Sequence, residues 1–170
     1  MGMGEPLLNY ENVMKSVEII SVGLKITARR ITVSTAGWAP QIRRMADEGR
    51  KVKLAISLHS LDGATRTALM PLNARFGLAE LLEAAAYYYR KAAGERTGAG
   101  EPYASLCELY AVSLPDKTEF LKTLEEMEND LPADSAGLCS CGIMATNAWG
   151  MEETAERLLN KALRAFPDDP

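Results

Sequence analysis

Apolar positions in the first ninety residues change period several times, and each change marks an element. Asn9, Tyr10, Glu11 and Asn12 offer N-cap groups, after which Val13, Val17 and Ile20 recur at the spacing of one helical face, up to Gly23. Ile31–Thr35 is a short β-branched run and predicts a strand. Gly37 and Pro40 end it, and Pro40 suits the first turn of a new helix. Ile42, Met45 and Ala46 form that helix's apolar stripe, with Gly49 placed to close it. Val52–Ile56 predicts a second strand, and Leu78, Leu81, Leu82, Ala85, Ala86 and Tyr89 mark a long amphipathic helix. The order helix–strand–helix–strand–helix predicts an α/β fold with parallel strands joined by right-handed crossovers.

The pattern changes after residue 97. Residues 98–104 are a Gly-, Pro- and Ala-rich junction, and no further strand signal follows. Offset by 35, Leu124 meets Leu159, Met127 meets Ala162, Leu131 meets Phe166, Pro132 meets Pro167, and Asp134 meets Asp169. Pro115 and Gly150 then fall at matching turns, so residues 105–170 are expected to form all-α helical hairpins. The period is close to the ~34 residues of tetratricopeptide repeats, and Gly150, Ala155, Leu159, Ala162 and Pro167 resemble that pattern. Phe120, Gly142 and Thr146 depart from it. The expected organisation is an α/β segment over 1–97, the junction, and helical hairpins over 105–170.

Composition narrows the class without fixing a function. The 170 residues are 47% hydrophobic and 25% charged, as expected of a soluble globular chain. No apolar run reaches the ~18 residues of a membrane span, and the first residues lack the basic and apolar regions of a signal peptide. Three cysteines without framework spacing favour a reducing, cytoplasmic setting. The net charge of −4 is uneven: residues 1–99 hold fourteen Lys and Arg against nine Asp and Glu, and residues 100–170 hold five against fourteen. The first balance permits RNA contact, and the second would favour a basic protein partner.

Polar groups lie at the ends of both predicted strands: Ser34 in Ile31-Thr-Val-Ser-Thr-Ala-Gly37, and Ser57 and His59 in Ala55-Ile-Ser-Leu-His-Ser60. Strand ends are where α/β sheets bind ligands. Taken singly, Gly4 reads as turn punctuation, Glu5 as a solvated charge, and His59 as a structural polar group. Together, Gly2-Met-Gly-Glu-Pro-Leu7, Ala28–Thr35, Leu54–His59, Met70-Pro-Leu-Asn73 and Leu81-Leu-Glu-Ala84 resemble, in order, the radical-SAM rRNA adenine-C2 methyltransferases of the RlmN/Cfr family. The resemblance covers residues 1 to about 97. It implies a partial radical-SAM (β/α) barrel with S-adenosylmethionine at the strand ends. Gly4 and Glu5 would meet its methionyl end, and Ser34, Ser57, Leu58 and His59 its other polar parts. A glycine permits close backbone approach and a carboxylate can bind an ammonium group. The implied substrate is rRNA or tRNA.

The family also uses a [4Fe-4S] cluster held by Cys-x3-Cys-x2-Cys. Cys107, Cys139 and Cys141 are separated by 32 and 2 residues and do not form that motif. Helix packing in the small-residue run Gly137–Ala145 accounts for Cys139 and Cys141 better than metal binding does. No residue is therefore assigned as catalytic or metal-ligating. The expectation is a truncated or rearranged relative that keeps part of the cofactor site and is inactive alone. The alternatives are a helical-repeat interaction module with a remnant α/β segment, and a split enzyme whose cluster loop another polypeptide supplies. Two clear strands make a very small parallel sheet, so residues 1–97 in isolation are expected to be marginally stable.

Overall fold

The computed structural model describes residues 4–94, 100–130 and 135–165, with 135, 136 and 165 as backbone only. Residues 1–3 and 95–99, and the pairs Leu131/Phe166, Pro132/Pro167 and Asp134/Asp169, therefore lie outside the described residues. The chain divides into two compact units, Met1–Tyr88 and Tyr89–Pro170.

In the first unit, a 3-10 turn (Pro6–Asn9) leads into α1 (Tyr10–Gly23). The stripe expected to be buried, Val13, Val17 and Ile20, is only half-buried, and the buried pair is Tyr10 and Met14. Tyr10 turns the helix: its hydroxyl donates to Glu48 Oε2 at 2.9 Å, and the Arg44 guanidinium lies 4.3 Å from its ring centre. Ile19 and Val22 are left exposed as a result.

Strands β1 (Thr32–Thr35) and β2 (Lys53–Ile56) form a two-stranded parallel sheet, with Val33 opposite Leu54 and Thr35 opposite Ile56. Val33, Thr35 and Leu54 face the core, while Ser34 and Ala55 share the opposite, half-buried face. Between the strands runs α2 (Ala39–Asp47), with Pro40 in its first turn and Ala39, Ile42, Met45 and Ala46 buried. Gly49 takes a positive φ of 62°, which ends the helix at little steric cost.

After β2 come α3 (Gly63–Leu69) and a 3-10 turn (Pro71–Ala74), which the hydrophobic pattern does not announce. Asp62 starts α3 by accepting the Thr65 N–H at 2.7 Å. Helix α4 (Leu78–Gly94) closes the unit with Leu81, Leu82, Ala84 and Ala85 buried. The Tyr88 hydroxyl reaches the Arg50 and Val52 carbonyls at 2.9 and 2.6 Å, pinning the helix to the entry of β2.

Among the described residues the second unit is entirely helical. Helix α5 (Glu101–Glu108) begins inside the stretch read as a junction, because Pro102 is well suited to a first helical turn. It runs on into a π-helical turn (Leu109–Ser113), then α6 (Lys117–Asp130), α7 (Ser135–Trp149) and α8 (Glu152–Ala165). Phe120 is fully buried and meets Trp149 edge-on at 4.9 Å. A Cβ on Gly142 would sit 3.4 Å from the Ala155 Cα, so the small residues of α7 admit α8 at close range. Met127 and Ala162 are both buried, but Leu124 is 2% exposed and Leu159 is 40% exposed. The 35-residue register thus does not give equal surroundings at that pair.

Candidate cofactor site at the strand ends

Glu5 reaches the end of β1. Its Oε1 accepts the Leu7 N–H at 3.0 Å and the Thr35 hydroxyl at 2.8 Å, and its Oε2 accepts the Ala36 N–H at 2.7 Å. Three donors leave a carboxylate with about one of its four acceptor positions. Thr35 in turn accepts the Gly37 N–H at 3.0 Å, which folds the chain sharply after the strand. Gly4, with φ 119°, is exposed, and nothing lies within 4 Å of where its Cβ would be.

Ser34 is half-buried, and its hydroxyl has no partner among the described residues. The Ser57 N–H donates to the Thr35 carbonyl at 2.9 Å, which carries the ladder one residue past β2. By strand alternation Ser57 falls on the same sheet face as Ser34 and Ala55. The Ser60 N–H donates to the Leu58 carbonyl at 2.7 Å, closing a three-residue turn on His59. His59 therefore has a φ of 59°, a left-handed conformation that non-glycine residues seldom adopt, and is exposed. The six expected residues thus gather at one end of the sheet, yet among the described residues no two of their side chains bond to one another. Glu5 bonds toward the covered face through Thr35, whereas Ser34 and Ser57 belong to the half-buried one.

Three residues of this region carried no site assignment from sequence: Thr35, Arg66 and Asn73, at 1%, 0% and 8% exposure. Arg66 donates from Nε to the Leu58 carbonyl at 3.1 Å, from Nη2 to the Ala36 carbonyl, and from Nη1 to Asn73 Oδ1. All three acceptors are neutral, and burial lowers the guanidinium's pKa. The Met70-Pro-Leu-Asn73 segment pointed to Asn73. Nothing local distinguished Arg66 from a solvated arginine.

Among the described residues no group of three or more His, Cys, Asp and Glu is placed to hold a metal ion. Cys107 and Cys141 are fully buried, and Cys141 Sγ lies 4.0 Å from Met127 Sδ. The bond with Cys141, and then burial, push the Cys107 thiol well above its ordinary pKa. A thiol so held resists forming the thiolate that iron requires, and the described residues bring no three such donors together, so Cys107 does not fit an iron–sulfur cluster. The second unit carries a basic groove of about 420 Å³ on α8, lined by Arg157, Asn160, Lys161 and Arg164. Arg157 and Lys161 there pair with Glu128 at 2.6 and 3.2 Å, so the groove is a local feature of a half that holds more acidic than basic residues.

Over 93 residues the chain is 52% identical to the probable dual-specificity RNA methyltransferase RlmN of Christiangramia forsetii, a match covering 54% of this chain and 26% of that protein. A protein of the same name from Rhodococcus erythropolis is 50% identical over 95 residues, again 54% and 26% of the two chains. About half of this chain is thus similar to a segment of RlmN proteins. It spans about a quarter of the length of the RlmN proteins it matches. The crystal structure of a radical SAM methyltransferase from Sphaerobacter thermophilus superposes with a TM-score of 0.54 at 31% identity, over 76% of this chain and 47% of that one. The likeness in structure thus takes in more of the chain than the likeness in sequence. No protein-family model matches the chain. No helix among the described residues is long and apolar enough to cross a membrane.

Proposed function

We propose that the first unit is a partial radical-SAM (β/α) barrel retaining part of an S-adenosylmethionine site, in a truncated or rearranged relative of the RlmN rRNA methyltransferases. The observation that carries the reading is the pairing of about 50% identity to RlmN proteins with the open strand end. There Gly4 is clear of neighbours, the Ser34 hydroxyl is uncommitted among the described residues, and His59 is turned outward. Hydroxyl, backbone and imidazole groups of this kind suit the polar parts of a nucleoside and an amino acid. Glu5, already accepting three bonds, keeps one acceptor position for an ammonium group. The excess of Lys and Arg in residues 1–99 is compatible with an RNA substrate in a cytoplasmic setting.

These 170 residues contain no Cys-x3-Cys-x2-Cys. By themselves they are expected to bind S-adenosylmethionine without cleaving it. Equilibrium dialysis with labelled S-adenosylmethionine tests the first part, with saturable binding expected and weakened by Ser57→Val or His59→Ala. Anaerobic reconstitution with iron and sulfide tests the second. Absence of saturable binding would overturn the site, and a stoichiometric cluster that releases 5′-deoxyadenosine would overturn the inactivity.

A further inference from the structure

The β1–β2 ladder is short. Beyond the Ser57 N–H bond to Thr35, backbone hydrogen bonds no longer link the two strands' continuations among the described residues. The segments that follow, Ala36–Trp38 and Leu58–Ser60, are nevertheless held at a fixed spacing by one side chain. Arg66 Nε donates to the Leu58 carbonyl, and Nη2 of the same planar group donates to the Ala36 carbonyl. Two donors of a rigid fork set the separation of two acceptors in a way that a single ammonium cannot.

The fork itself is seated. Asn73 donates its amide hydrogens to Thr67 Oγ1 at 2.8 Å and the Gly63 carbonyl at 3.2 Å, which aims Oδ1 at Arg66 Nη1. A Cβ on Gly37 would come within 3.2 Å of Arg66 Nη2, so the loop backbone rests directly on the guanidinium. The Leu58 carbonyl that Arg66 binds also closes the turn on His59, so the left-handed backbone at His59 depends on the same contact.

We propose that Arg66, seated by Asn73, is a positioning residue that locks the loop after β1 and the loop after β2 into one rigid strand end. That the groups so positioned serve a cofactor rests on the S-adenosylmethionine reading above. The lock itself is a property of the free chain and is tested separately.

Hydrogen exchange of the folded chain reads the lock directly. In Arg66→Lys, which keeps the charge and loses the fork, the Ala36, Gly37, Ser57 and Ser60 amides are expected to exchange at least about tenfold faster, by a similar factor in both loops. Amides of α1 and α2 should keep their native rates. Calorimetry with S-adenosylmethionine, well below the melting temperature, should show a Kd weaker by about tenfold in the same variant. Should Arg66→Lys fail to fold, Asn73→Ala unseats the fork while leaving both carbonyl contacts. It is expected to speed both loops together by a smaller factor. Acceleration in one loop only, in neither, or equally in α1 and α2, overturns the proposal. If the native chain binds no S-adenosylmethionine, the cofactor reading fails and the exchange pattern alone decides the role of Arg66.

Discussion

Gly37→Ala probes the strand end at its tightest point. Gly37 has a φ of 125°, and a Cβ there would lie 2.8 Å from Leu81 Cδ2 and 3.2 Å from both Leu81 Cδ1 and Arg66 Nη2. Two costs add. An alanine forced into a backbone region reserved for glycine costs about 1–3 kcal/mol. Overpacking against Leu81, which is 0% exposed and cannot swing away, costs about 1–3 kcal/mol more. The expected destabilisation of the first unit is about 2–6 kcal/mol. Urea unfolding followed by tryptophan fluorescence measures it, because each unit carries one of the two tryptophans, Trp38 and Trp149. A Trp149→Phe background leaves Trp38 to report the first unit. Leu81→Ala separates the two costs: in the double variant the new methyl enters vacated space, so the clash is relieved and the backbone strain remains. The cycle should show a favourable coupling of about 1–3 kcal/mol. A Gly37→Ala loss below about 0.5 kcal/mol, or strict additivity with Leu81→Ala, would refute the reasoning.

Two further outcomes follow from the same unit. Glu5→Gln keeps an oxygen for Leu7 and Thr35 but turns an NH2 group toward the Ala36 N–H, so a loss of about 1.5–3 kcal/mol is expected in the Trp38-reported transition. A loss within about 0.5 kcal/mol would show that the carboxylate does not hold the loop. Burial and the bond to Glu48 push Tyr10 up to about 12 from 10.0. The folded state therefore favours the protonated phenol: its contribution is intact below pH 10 and is lost as pH rises from 10 to about 12. Tyr10→Phe should flatten the fall in stability of the first unit between pH 10 and about 12, and identical pH slopes in the two proteins would count against it.

Periodicity is a local signal, and the elements it governs were legible from it. Ile42, Met45 and Ala46 sit three and four apart and are buried along α2. The two β-branched runs lie within a residue of strands β1 and β2, and their separation by a helix calls for the parallel pairing that is found. Family likeness was legible too, because it rests on residue identity in ordered segments. Helix α3 was not, since Gly63–Leu69 is short and its one fully buried residue is an arginine.

The amino-acid sequence by itself determined which segments form the α/β half, that polar groups lie at its strand ends, and that the described remainder is helical. Only the tertiary structure decided how those groups are used. It rotated α1 onto Tyr10 and Met14, committed Glu5 to Thr35 and Ala36, and buried Arg66 against the Leu58 and Ala36 carbonyls. The physical reason is range. Glu5 and Arg66 find Ala36 across separations of 31 and 30 residues. A hydrogen bond of that span leaves no period in the chain, and whether a charged side chain meets water or a buried carbonyl is settled only when the loops come together.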